Sequence, residues 1–161
     1  MSANVVDVMA RIAAIEREII NPSTSGSLVA YDNVPYTINT ADMPLFVNYT
    51  GNLSDNTLEG DDEFGREYAE TRNHRLTLYI APFGTGVEGE KWGLLAPFFD
   101  LVYAKFMGYP HLKNLAGVRD AKLIADTGMT QTVKFISQEY FGAQFTLRVT
   151  TTARRLLAKG D

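Results

Sequence analysis

The chain has 161 residues, 45% of them hydrophobic and 21% charged, with a formal net charge of −4 and no cysteine. That length suits one domain, which buries roughly 70% of its unfolded surface and needs neither disulfide nor metal to fold. The missing cysteines exclude thiolate catalysis, zinc–thiolate and iron–sulfur centres, and the acidic balance argues against a protein whose main task is wrapping nucleic acid.

Residues 4–20 read as an amphipathic helix, because Val5, Val8, Met9, Ile12, Ile15 and Ile19 recur at steps of three and four. Asn4 is the expected N-cap and Asn21-Pro22 the expected stop. This opening lacks a basic segment followed by an unbroken apolar run, so no signal peptide is expected. No apolar run approaches the ~20 residues that span a bilayer, and no membrane partner is expected. PSTSGS (22–27) is a loop by composition, LVAYDNVPYTI (28–38) a short hairpin arm, and MPLFVNY (43–49) a strand.

Residues 51–70, GNLSDNTLEGDDEFGREYAE, carry seven carboxylates with little periodicity and read as a long mobile acidic loop. A strand follows over 68–83, where Leu76, Leu78 and Ile80 alternate with Arg75, Thr77 and Tyr79. After GTGVEG (84–89), a second helix over 92–107 places Trp92, Leu95, Phe99, Val102, Tyr103 and Phe106 on one stripe, with Pro97 marking a kink or the true start. Strands are expected at 121–126, 130–136 and 140–152. In the last, Phe141, Ala143, Phe145, Leu147, Val149 and Thr151 share one face, which demands a covered antiparallel sheet. The expectation is one α+β domain over 1–161: an antiparallel sheet of about four to five strands with two helices packed on one face.

GTGVEG has the spacing of a dinucleotide fingerprint, G-x-G-x-x-G, after a strand and before a helix. Its context is wrong. Glu88 and Glu90 would repel a pyrophosphate, and Asp100, the acid about 20 positions on, falls inside the helix rather than at a strand end. The stretch reads as a glycine-rich connection. His74 and His111 have no metal-ligand spacing, and DNTLEG (55–60) would put Arg66 where a calcium loop needs a bidentate Glu. Asp61-Asp62 lies in a solvated run where nothing shifts a carboxyl toward catalysis. Arg154 and Arg155 either pair with an acidic neighbour or lie in a solvated tail. No cofactor, no metal and no catalytic residue is expected, which points to a binding or assembly protein rather than an enzyme.

The order of these pieces resembles the tail-terminator (tail-completion) proteins of long-tailed bacteriophages. The resemblance is one of layout over about 4–152. It rests on the opening helix VVDVMARIAAIEREII, the strand MPLFVNY, RLTLYIAPF leading into WGLLAPFFDLVYAKF, and the closing strand EYFGAQFTLRVTT with its aromatic–glycine–aromatic pattern. It implies a structural virion protein, assembled in the host cytoplasm into a homohexameric ring. The ring would cap the tail-tube protein, stop its polymerisation and meet the head–tail connector, with DNA passing without sequence-specific binding. Other neck, head-closure or tail-tube roles, or a small α+β ligand-binding protein or enzyme using Gly84–Gly89, are the alternatives. The residues expected at an assembly interface or facing the channel are Asp55, Glu59, Asp61, Asp62, Glu63, Arg66, Glu67, Gly84, Gly86 and Gly89.

Overall fold

A computed structural model describes residues 2–84, 88–129 and 131–156. Helix α1 (Val5–Glu16) opens as expected: the Asn4 side chain accepts from the Asp7 backbone N–H at 2.8 Å. Its apolar stripe, Val8, Met9, Ile12 and Ile15, is buried. The helix ends four residues short of the expected stop.

Nine further elements follow: β1 (Val29–Ala30), a 3-10 turn (Thr40–Asp42), β2 (Leu45–Tyr49), β3 (Leu53–Asp62), β4 (Gly65–Pro82), α2 (Glu88–Met107), β5 (Val118–Asp126), β6 (Val133–Phe135) and β7 (Gln138–Leu156). Pro97 sits in the interior of α2 rather than at its start, and is exposed, so its ring faces solvent instead of the sheet. Leu95, Phe98, Val102 and Phe106 are the helix's buried residues, while Trp92, Phe99 and Tyr103 are half-buried against the same core.

The sheet departs from the expectation of four to five antiparallel strands. It has seven strands, ordered β1-β2-β4-β7-β5, with β3 added to β4 and β6 added to β7. It is curled and mixed, because β1 runs parallel to β2, and 45% of the residues are in strands. The main reason for the difference is the segment 51–70, expected as a loop. It forms β3 and the first part of β4, in register from Leu53↔Arg72 to Asp62↔Gly65. All ten residues of β3 are exposed, so neither face imposes an apolar alternation, and backbone pairing rather than apolar burial makes the strand.

Two long strands form the spine. β4 and β7 pair from Gly65↔Leu156 to Pro82↔Tyr140, roughly 55–60 Å of antiparallel ladder. One face of its inner half, Leu76, Leu78, Phe141 and Phe145, packs under both helices. The opposite face is not bare there. Leu45, Val47, Tyr79, Val133, Phe135 and Tyr140 form a second buried cluster beneath β6 and the segment leading into β2. Gly142 permits this closeness: a Cβ there would lie 2.0 Å from the Leu78 carbonyl oxygen and 2.8 Å from Val133 Cγ2.

Candidate functional site

Beyond the helices the sheet continues as an arm made of β3, the start of β4, the end of β7 and the start of β5. Its turn is closed by Asp62, whose Oδ1 accepts from the Phe64 and Gly65 backbone N–H groups at 2.8 and 3.1 Å. Asx-type closure is what the run Asp-Asp-Glu-Phe-Gly supplies locally. At the arm's base the chain leaves β2 through Gly51, where a Cβ would fall 1.2 Å from the Asn73 carbonyl oxygen. Only glycine lets β3 come this close to β4.

Ion pairs lock the arm across its strands. Arg119 of β5 donates from Nη1 to Glu59 Oε1 of β3 at 2.7 Å and from Nη2 to Oε2, a bidentate pair bridging over β4 and β7. Its Nε also donates to Thr152 Oγ1 at 2.9 Å. Arg154 donates to Asp62 at 2.5 Å, and Arg155 donates to Glu70, a carboxylate buried at the start of the helix-covered face. The hydrogen bond from Arg119 holds the Glu59 carboxyl below its ordinary range, as that from Arg154 does for Asp62, and Glu59 in turn holds the Arg119 guanidinium up. Exposed pairs such as those of Glu59 and Asp62 add little stability, but together with the Arg155–Glu70 pair they fix the strands' relative positions.

The expected site residues therefore divide. Asp55, Glu59, Asp61 and Asp62 lie on β3, Glu63 at the turn, and Arg66 and Glu67 on β4, so the structure brings all seven into the arm. Asp55, Asp61, Glu63 and Glu67 have no ion-pair partner among the described residues. Gly84, in a turn at φ +89°, and Gly89, at the start of α2, sit at the opposite end of β4 and join no common site with them. Gly86 lies outside the described residues. Arg154 and Arg155, for which pairing was one expected outcome, both pair.

Sequence reasoning missed a basic patch farther along the face that the helices leave open. Lys122 of β5 stands directly opposite Arg148 of β7, and Arg75 of β4 faces Thr146 one step along. All three are exposed, and none has an ion-pair partner among the described residues. Beside them is a depression of about 430 Å3 lined by Tyr49, Gly51, Arg75, Lys134 and Gln144. The Tyr79 hydroxyl donates to the Lys134 carbonyl at 2.8 Å and holds β6 over this face. The signal was present as polar residues alternating with the apolar ones of β4 and β7, but only the register puts the cations side by side.

Besides Glu70, two more titratable groups are buried in the helix-covered core. Glu16 is fully buried and accepts from Asn48 Nδ2 at 2.5 Å; burial pushes its carboxyl well above the ordinary carboxylate range. His74 is 2% exposed, and burial, aided by Arg72, pushes its imidazole down to about 4. The cavity by His74, lined also by Asn4, Glu70, Arg72 and Arg155, is about 20 Å3, room for a water and not for a substrate. Among the described residues no three His, Asp or Glu side chains converge as a metal site, and no helix is long and apolar enough to cross a membrane. No protein-family model matches the chain, and no curated protein is significantly similar to it.

Proposed function

We propose that this chain is a structural virion protein of a long-tailed bacteriophage, forming a hexameric ring that caps the tail tube, stops its polymerisation and presents the joint to the head connector. The order of its sequence segments supports the reading. The observation that carries it is the arm: an ordered, charged sheet extension with every residue of β3 exposed and a second β3 edge that no described strand pairs. A chain closing into a ring needs heterologous contacts between two different patches, and a projecting strand edge is a common way to supply one. The arm is formed within the single chain and cross-strapped by ion pairs, so it would dock on a neighbour or an adjoining ring without first having to fold. Where its carboxylates line the channel, phosphates meet mainly like charge, and DNA slides through.

Native mass spectrometry over a concentration series tests the reading. The expected species is six times 17.9 kDa, with a central pore by electron microscopy. Charge reversal of Asp61, Asp62 and Glu63 to Lys is expected to impair ring docking or DNA passage, and fully infectious particles carrying it would refute that role. A second reading, a tail-tube subunit, gains from the seven-stranded, strand-rich sheet. It predicts open-ended filaments of stacked rings in the same micrographs, where a terminator gives single closed rings.

A further inference from the structure

We infer that the acidic hairpin tip of one copy docks into the basic depression on the open face of the next, with Phe64 against Tyr49, and Asp61 and Glu63 against Arg75, Lys134 and Arg148. The inference deepens the ring reading and rests on it.

The free chain carries an electrostatic cost that no ion pair among the described residues relieves. Lys122 and Arg148 are directly opposed on neighbouring strands, with Arg75 diagonal to Arg148, and like charges so placed destabilise a sheet. No carboxylate among the described residues pairs with them. The chain does hold the complementary charge: residues 53–67 contain six carboxylates against the single cation Arg66. The tip carboxylates stand too far away to reach the patch within one copy. The tip at Gly65 and the patch at Arg75 are ten residues apart on the same continuous strand, roughly 33 Å along it. A contact between them must join two copies, and because donor and acceptor are different patches it is head-to-tail.

Shape agrees with charge. Phe64 is 71% exposed at a turn held by Asp62, an aromatic anchor already presented on a rigid support. The depression of about 430 Å3 has the half-buried Tyr49 on its wall and two cations, Arg75 and Lys134, at its rim. It accepts a ring flanked by carboxylates. A second copy is favoured over nucleic acid because the net charge is −4 and the arm's carboxylates continue along the same sheet, where they repel phosphates.

The test uses two full-length variants: a face variant, Arg75→Glu/Lys134→Glu/Arg148→Glu, and a tip variant, Asp61→Lys/Glu63→Lys. All five positions are exposed, and circular dichroism checks that both variants fold. By sedimentation velocity at low salt, the wild-type chain is expected to assemble and each variant alone to stay monomeric. Their equimolar mixture should assemble again, alternating in composition, because each reversed patch then meets its complement. Phe64→Ala is expected to weaken assembly about tenfold or more. Assembly of either variant alone, or a mixture that stays monomeric, overturns the docking while leaving a ring built on other contacts. A monomeric wild-type chain that still halts tube growth overturns the docking and leaves the capping reading intact. A face variant that assembles like wild type but loses retention of duplex DNA assigns the patch to nucleic acid and overturns the docking.

Discussion

The two halves of the β4–β7 ladder share one hydrogen-bond pattern and almost nothing else. In the inner half, Leu76 faces Phe145 and Leu78 faces Ala143 under the helices, while Tyr79 is buried on the other side by Leu45, Val47 and Tyr140. In the outer half, Arg66 faces Arg155, Glu67 faces Arg154 and Thr71 faces Thr150. Backbone pairing runs through both, with one bulge, at Ile80, in the inner half. The inner half gains its stability from apolar burial, whereas the outer half is held by register, an ion-pair lattice and a Thr71–Thr150 hydroxyl contact of 2.9 Å. A sheet can thus be built as one ladder while its two ends serve folding and recognition separately.

Mutation should expose the division most sharply in the core. Phe145→Ala, at a fully buried position touching Phe99 and Tyr103, is expected to cost about 3–5 kcal/mol by urea unfolding. Thr150→Val on the outer half breaks one hydroxyl contact and should cost about 0.5–1.5 kcal/mol. Gly142→Ala falls between them, at roughly 1–3 kcal/mol, because its methyl must push β4 or Val133 away. Comparable losses in both halves, measured the same way, would show that the arm contributes to the core's stability.

The buried titratable groups are read in the pH dependence of the urea midpoint. His74 is neutral in the folded chain, its imidazole depressed from 6.5 to about 4. The stability this provides is present above pH 6.5 and is lost as pH falls toward 4, since the unfolded chain takes the proton first. Glu16 acts in the opposite sense. Its folded carboxyl is raised above 4.5, so its contribution is whole below that pH and is lost as pH rises. Glu16→Gln should therefore gain stability relative to wild type at neutral pH and steepen the acid-side loss that His74 causes; no change in slope would mean that Glu16 is solvated. The smallest expected effect is at the arm: Glu59→Gln should leave the urea midpoint unchanged and speed amide hydrogen exchange in β3, since only the strap to Arg119 is weakened.

Much of the inner half was legible in the residues. Asn4 capping a 3.6-period stripe, and Phe141, Ala143, Phe145, Leu147 and Val149 on one face of β7, are local patterns that the structure retains. The acidic character of the arm was legible too, as were the residues that crowd it. Its strand was not. In 53–62 neither face is buried, so period-2 apolar alternation, the usual signal for a strand, is missing. The partners of the acidic residues were equally hidden. Glu59 and Arg119 are 60 positions apart, and Arg75, Lys122 and Arg148 become one patch only through the pairings of three strands.

By itself, then, the sequence determined which segments are amphipathic, where α1 begins and which residues are apolar enough to form the core. Those properties depend on neighbours a few positions apart and are written in the chain. Strand number, the parallel β1–β2 pairing, the second buried cluster, the ion-pair lattice and the opposed cations were decided only in the tertiary structure. They depend on which distant backbone groups pair and in what register, and a shift of one residue would send every side chain of a strand to the other face.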